Sequence, residues 1–181
     1  MKYCCFMIRS KSIWLMAVVL FLVACKSKKG TTVSKAKEPT HKQKEYRFLS
    51  EKLNLEVDRK DNFKLYSFVG EWLGVPHKDG GCDKRGTDCS CFVRMVYEEV
   101  YQRILPRNSV EMFNQTKRID SMELKEGDLI FFKIKSSKIS HVGIYLKDNW
   151  FAHVSSSRGL MINHLSEKYY KTYYAGAGKV D

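Results

Sequence analysis

Apolar residues in the first half of the chain recur at intervals of three and four, the spacing of one face of an α-helix. Asp61 is placed to cap the second helix, and either Thr87 or Asp88 the third. Gly74 and the proline two residues later should end the second helix. On this spacing we predict four helices, over residues 46–55, 62–73, 89–102 and 109–116.

The second half of the chain has short apolar runs of the kind that form β-strands. A tight link of Lys147, Asp148 and Asn149 should join the second and third of these strands as a hairpin. Helices followed by strands predict an α+β fold, with an antiparallel sheet packed against the helices. The predicted strands cover residues 129–132, 141–146, 150–154, 160–163 and 173–180.

The N-terminus has the pattern of an export signal. Basic residues precede an apolar run over residues 13–24, which is long enough for a signal peptide and short for a membrane-spanning helix. The run ends in Leu-Val-Ala followed by Cys25, which resembles the lipobox of bacterial lipoproteins. An ordinary secretory signal with an incidental cysteine is the alternative interpretation.

The lipobox interpretation predicts three parts and a location. They are a signal peptide over residues 1–24, a flexible basic tether over 25–45 that begins with lipidated Cys25, and one domain over 46–181. The expected location is the bacterial cell envelope, at a membrane through the attached lipid. Within the envelope, we expect the periplasmic face of the outer membrane.

Most of the positive charge lies outside the predicted domain. The chain carries +12; residues 1–24 contribute +3 and residues 26–47 contribute +6, which leaves +3 for residues 48–181. This remainder has no dense basic block, so we expect no nucleic-acid partner. About 135 residues are enough for one domain with one core.

The candidate chemistry centres on Cys89, at the predicted start of the third helix. Unpaired backbone amides and the helix dipole at this position should favour the thiolate and can receive an oxyanion. His141 and His153 lie in two predicted strands, and a thiol nucleophile needs such a base and a group that orients it. A buried, unreactive cysteine is the alternative interpretation of Cys89.

The predicted hairpin brings the two histidines near each other. Pairing about Asp148 should set His141 opposite Val154 and diagonal to His153. His141 should point away from the aliphatic side chains of its strand, towards the cysteine. One imidazole would then act as base and the other would orient it.

The chain resembles the NlpC-type cell-wall peptidases, a papain-like cysteine peptidase family. The resemblance implies a papain-like α+β fold, with Cys89 as nucleophile, His141 as general base and His153 as third polar residue. It also implies hydrolysis of peptidoglycan stem peptides, commonly between D-γ-glutamate and the diamino acid, without a metal or organic cofactor. The matching segments are 72–76, 80–81, 88–90, 105–109, 124–132, 141–145 and 152–155.

The substrate cleft is where the chain departs from this pattern. His77 stands at the family's tyrosine position, and Asp79 replaces the aromatic residue before the glycine pair. Cys91 replaces the glycine of the Asp-Cys-Ser-Gly motif. The resemblance places Asp88 and Ser90 beside the cleft as substrate-binding residues, together with His77 and Asp79, and the Asp88 carboxylate could meet a substrate amine.

Other interpretations of the same residues stay open at this point. Cys82 and Cys91 could form a disulfide in an oxidising periplasm. Cys82, Cys89, Cys91 and His77 could instead bind zinc, although their spacing is not a usual zinc pattern. The protein could also be a cell-wall-binding lipoprotein that has lost catalysis, or a thiol-dependent amidase or acyltransferase.

Overall fold

The computed structural model describes residues 38–181, so the signal peptide, Cys25 and most of the predicted tether lie outside the described residues. In the described part, no helix is both long enough and apolar enough to cross a membrane. The helices are α1 (His41–Leu53), α2 (Phe63–Trp72), α3 (Cys89–Val96), α4 (Ser109–Gln115) and α5 (Lys168–Tyr173).

Side chains at the first turns decide where the helices begin. Thr40 and Gln43 form a reciprocal capping box, so α1 begins at His41 and the predicted flexible tether is wrong for residues 41–45. Asn62, and not Asp61, caps α2, because the Asp61 carboxylate lies 2.7 Å from the Lys147 ammonium. Of the two predicted caps of α3, Asp88 is the one observed.

The helices otherwise agree with the sequence pattern. A π-helical turn over Tyr97–Tyr101 continues α3 almost to the predicted end at residue 102. The helix α4 matches its predicted range to within a residue, with Asn108 as its cap. The short helix α5 was not predicted.

Six strands form one antiparallel sheet, in the order β3-β8-β4-β5-β6-β7. The five predicted strands are confirmed as β4 to β8, while β3 and the short β1–β2 hairpin were not predicted. The strands are β1 (Cys82–Asp83), β2 (Gly86–Thr87), β3 (Lys117–Ile119), β4 (Leu129–Phe132), β5 (His141–Tyr145), β6 (Trp150–Ser155), β7 (Gly159–His164) and β8 (Tyr174–Lys179).

The β5–β6 hairpin turns at the predicted link, where Asp148 and Asn149 have left-handed backbones with φ of 47° and 64°. Its register pairs Ile144 with Ala152 and the next residue, Tyr145, with Phe151. The predicted pairing of His141 with Val154 is therefore wrong by one residue. Because a one-residue shift turns a strand over, only the observed register sets both histidines on one face of the sheet.

The two faces of the sheet bury different side chains. One face carries the main core, in which α1, α2 and α3 pack against Val142 and Ile144 of β5 and against Leu146 just after it. Tyr145 packs on the opposite face, in a smaller aromatic cluster with Tyr170 of α5. The histidines lie on this second face, while Cys89 comes from the helical layer on the first.

Candidate active site

A cleft of about 560 Å³ opens where the start of α3 meets β5 and β6. We call residues 77–91 with Arg107 its cysteine wall, and residues 141–170 its histidine wall. All the predicted site residues in the described part of the chain line this cleft; they are His77, Asp79, Asp88, Cys89, Ser90, His141 and His153.

Cys89 is the free cysteine of the described residues and sits half-buried at the first position of α3. Burial raises the pKa of its thiol, and the nearby Asp88 carboxylate raises it further. Backbone hydrogen bonds from Val142 of β5 and from Ser90 at the helix start lower the pKa, the latter as predicted, but burial outweighs them. Cys89 therefore rests as a thiol at neutral pH and needs a base to react.

The two histidines lie in hydrogen-bond contact, with His141 Nε2 at 3.0 Å from His153 Nδ1. Burial lowers the pKa of His141 to about 3, and the neighbouring His153 and His77 lower it as well. Burial also lowers the pKa of His153 to about 4. Both imidazoles are therefore neutral at pH 7, the state in which His141 can accept a proton.

Gly143 makes room for this pair on β5. A Cβ atom at Gly143 would lie 2.8 Å from the ring of Phe151 and 3.3 Å from the Cβ of His153. A side chain at this position would push β6 away, and the contact between the two histidines depends on how closely β5 and β6 approach.

The hydrogen-bond chain continues beyond His153 to residues that were not predicted. His153 Nε2 lies 2.9 Å from Asn163 Oδ1 and 2.9 Å from the Tyr170 hydroxyl. The Asn163 amide donates to both carboxylate oxygens of Glu167, at 2.8 and 3.0 Å. An asparagine that ends the apolar run of residues 160–162 was the sequence signal for this contact.

The Asp88 carboxylate is fully engaged within the cysteine wall. Arg107 donates to both of its oxygens at 2.8 and 2.7 Å. The Cys91 amide donates at 2.8 Å, and the Ser90 hydroxyl lies 2.9 Å away. The Gly80 amide donates at 3.0 Å to the oxygen that also binds Arg107 Nη2.

These contacts set the charge of Asp88. Partial burial alone would raise its pKa, but hydrogen bonds from Arg107, Cys91 and Ser90 keep the pKa below its ordinary value. Asp88 is thus an ionised residue that holds the start of α3. The role of Asp88 and Ser90 in binding a substrate amine stays a prediction.

Cys82 and Cys91 are joined by a disulfide, with their Cα atoms 5.5 Å apart. The bond ties the β1–β2 hairpin to the first turn of α3, next to Cys89. The zinc alternative is wrong, because two of its proposed ligands are bonded to each other. Within residues 38–181, no three metal-binding side chains lie together in a cluster that could hold an ion.

His77 and Asp79 form the outer part of the cysteine wall. His77 Nε2 lies 3.4 Å from Asp79 Oδ1, a contact that becomes an ion pair only when His77 is protonated. The Asp79 side chain is 99% exposed, whereas His77 is mostly covered. A backbone bridge from His77 to Thr87 holds this segment against the start of α3.

The NlpC/P60 family model matches residues 74–179, more than half of the chain. The chain belongs to the NlpC/P60 family. Its match covers both cleft walls and every strand of the large sheet, and leaves out α1 and α2. The resemblance seen in the sequence motifs is thereby confirmed.

Two curated relatives are similar to this NlpC/P60 chain over about 116 residues. The "Probable endopeptidase NlpC homolog" of Haemophilus influenzae is 39% identical, over 64% of this chain and 61% of its own length. The "Murein DD-endopeptidase MepS/Murein LD-carboxypeptidase" of Escherichia coli is 36% identical, over 65% and 62%. The chain thus spans about three fifths of the length of these relatives.

Solved structures of NlpC/P60 proteins share this fold. One from Bacillus cereus has a TM-score of 0.59 and 30% identity, over 64% of this chain and 39% of that one. One from Staphylococcus aureus, described as similar to a lipoprotein, has a TM-score of 0.60 and 29% identity, over 68% and 42%. The predicted α+β class, with helices packed on an antiparallel sheet, is confirmed.

Proposed function

We propose that this chain is a cysteine peptidase that hydrolyses peptidoglycan stem peptides. The observation that carries the proposal is the meeting of one free thiol, Cys89, with a neutral hydrogen-bonded pair, His141 and His153, in one cleft. Relatives at 36–39% identity are named as endopeptidases, and one of them as a murein endopeptidase.

The proposed reaction has two halves. His141 takes the Cys89 proton as the sulfur attacks the substrate carbonyl, and backbone amides at the start of α3 receive the oxyanion. The protonated His141 then gives its proton to the leaving amine, which departs and leaves a thioester. Water, deprotonated by His141, attacks the thioester; its C–S bond breaks, the acid product leaves, and the proton on His141 returns to the Cys89 sulfur. His153 orients the His141 ring throughout.

The finer proposal is the bond between D-γ-glutamate and the diamino acid, which the family resemblance implies. The names of the relatives refer to different bonds: one is a murein DD-endopeptidase and LD-carboxypeptidase, and another, 32% identical, is a gamma-DL-glutamyl hydrolase. Because these bonds give products of different mass, the masses of the released fragments identify the bond.

The test is mass spectrometry of purified muropeptides incubated with residues 26–181, with wild type beside Cys89→Ala. We expect new fragments with wild type only, at masses that match a cut after D-γ-glutamate. Equal turnover by Cys89→Ala would contradict the cysteine mechanism. Circular dichroism of both proteins checks that the substitution leaves the fold intact.

Two other functions are distinguished by this experiment together with a sacculus-binding assay. Binding to cell-wall sacculi without released fragments would favour a binding protein with altered cleft residues, namely His77, Asp79 and Cys91. Products carrying a new acyl group, or lacking only an amide nitrogen, would indicate an acyltransferase or amidase that uses the same thiol.

We further propose that Cys25 is lipidated and anchors the protein in the cell envelope, at the periplasmic face of the outer membrane. The support is the apolar run followed by Cys25, together with the lipoprotein description of the Staphylococcus aureus protein. The intact mass of the purified mature chain should show cleavage before Cys25 and added acyl groups. A mature chain that retains residues 1–24, or carries no lipid, would contradict the proposal.

A further inference from the structure

The hydrogen-bond chain behind His141 ends at Glu167, whose role as an acceptor is fixed. The Asn163 side-chain nitrogen donates to both oxygens of the Glu167 carboxylate, and the His164 amide donates to one of them. An ionised carboxylate can only accept hydrogen bonds. Asn163 must therefore turn its nitrogen towards Glu167. Its oxygen is left facing His153 Nε2, at 2.9 Å.

The proton positions on both histidines follow from this orientation. Since Asn163 Oδ1 only accepts, His153 Nε2 must carry a proton. A neutral imidazole has one N–H, so His153 Nδ1 is the acceptor and His141 Nε2 must donate across the 3.0 Å contact. His141 Nδ1 is then left with its lone pair, in the cleft that also holds Cys89.

The Tyr170 hydroxyl does not decide between the two arrangements, because a hydroxyl both donates and accepts. It donates to Asn163 Oδ1 at 3.1 Å and lies 2.9 Å from His153 Nε2. In the opposite tautomer, the lone pair of His153 Nε2 would face Asn163 Oδ1 with no proton between them. The amide orientation, set by Glu167, excludes that state.

We propose that Glu167 is a positioning residue: through Asn163 and His153 it fixes the His141 tautomer whose Nδ1 lone pair can serve as base. This inference rests on the proposed function only for its effect on turnover. The tautomer itself is a property of the free protein. Glu167 is exposed at the start of α5, so its substitution leaves the core untouched.

The Glu167→Gln variant tests the proposal, because glutamine keeps the size of glutamate and can donate as well as accept. Asn163 could then turn over, donate to His153 Nε2 and reverse both histidine tautomers. In ¹⁵N NMR of the whole domain without substrate, we expect wild-type His141 protonated at Nε2 alone. The variant should show a second population protonated at Nδ1.

Turnover should follow the tautomer. If the two states of Glu167→Gln are about equally populated, kcat on muropeptides should fall by about twofold at unchanged KM, since Glu167 does not line the cleft. Glu98→Gln is the matched control; it removes the same charge at an exposed position of the π-helical turn and should change neither readout. Tyr170→Phe should leave the tautomer unchanged.

An unchanged His141 tautomer in Glu167→Gln would overturn the proposal, as would an equal shift in Tyr170→Phe. The result is separable from the proposed function. A tautomer shift in Glu167→Gln together with unimpaired hydrolysis by Cys89→Ala would support the positioning role of Glu167 and contradict the peptidase mechanism.

Discussion

The cysteine wall and the histidine wall of the cleft hold their reactive groups in different ways. The cysteine wall is charged and partly open to water: the Asp88–Arg107 ion pair fixes the start of α3, and a disulfide secures the loop beside it. The two histidines of the histidine wall are buried and neutral, and a directional hydrogen-bond chain fixes their rings. One wall positions the proposed nucleophile by charge, and the other keeps the proposed base unprotonated by excluding water.

The difference determines the resting state of the pair. Burial raises the pKa of the Cys89 thiol and lowers the pKa of His141 to about 3. Both shifts oppose a thiolate–imidazolium ion pair. The structure therefore favours a thiol and a neutral imidazole at rest; in the proposed mechanism, proton transfer is then coupled to attack on the substrate.

The largest expected effect comes from removing His141, the proposed base. His141→Gln keeps a polar side chain of similar size but has no lone pair able to take the thiol proton. We expect kcat/KM on muropeptides to fall by about 10²- to 10⁴-fold, the usual contribution of a general base. His41→Gln, on the exposed face of α1, is the matched control and should keep full activity. Activity of His141→Gln near the wild-type level would place the base elsewhere.

The next effect concerns stability on the cysteine wall. The Cys82–Cys91 disulfide closes a short loop, since the cysteines are nine residues apart. Replacing both with alanine should lower the free energy of unfolding by about 2–3 kcal/mol through the entropy of the unfolded chain. Urea denaturation of the oxidised proteins measures this difference.

The reducing agent supplies the control for the disulfide. Dithiothreitol should bring wild type close to the Cys82→Ala/Cys91→Ala protein and leave that variant unchanged. Equal stability of the two oxidised proteins would mean that the bond does not constrain the unfolded chain. Cys89 remains in wild type and in the double variant, so the hydrolysis rates of the two proteins should differ little.

The two walls also differ in how far the sequence predicts them. The cysteine wall is local in sequence: the cap by Asp88, the helix start at Cys89 and the neighbouring loop all fall within 77–91. The histidine wall depends on strand register, and the expected partner of His141 was wrong by one residue. A register error of one residue moves every side chain of the strand to the other face of the sheet, and sequence periodicity alone does not fix the register.

The contacts that sequence reasoning missed are those made across the fold. Arg107 reaches Asp88 from 19 residues away, and Asn163 reaches His153 across the β6–β7 pair. Their positions depend on how α3 and the sheet pack, and sequence motifs do not specify the distances between packed elements. The main helices and strands were predictable because their periodic patterns follow directly from burial.

A smaller effect is expected from Arg107→Met, which leaves the partly buried Asp88 carboxylate without its bidentate partner. We expect a loss of about 1–2 kcal/mol in the free energy of unfolding, reduced by solvent because Arg107 is partly exposed. Arg107→Lys is the control and should recover part of the loss.

The loss in Arg107→Met should depend on pH in a defined direction. Because the folded pKa of Asp88 is lowered, its pairing stabilises the fold above its ordinary pKa and is lost as pH falls below it. The difference between wild type and Arg107→Met should therefore shrink below about pH 4. A difference that stays constant between pH 7 and pH 3 would show that packing, and not charge, is lost.

The smallest expected effect is the response of wild-type kcat/KM to mild acid, and it tests the neutral histidine wall directly. An imidazole with the ordinary pKa of about 6.5 would be mostly protonated at pH 5.5, and activity would fall about tenfold from pH 7. With the pKa of His141 lowered to about 3, the base stays free over this range, so kcat/KM should change by less than about twofold. The sign follows from burial, which disfavours the charged form and moves the acid limb to lower pH. Initial rates at constant ionic strength measure it, and a tenfold fall by pH 5.5 would mean that water reaches His141 in the working protein.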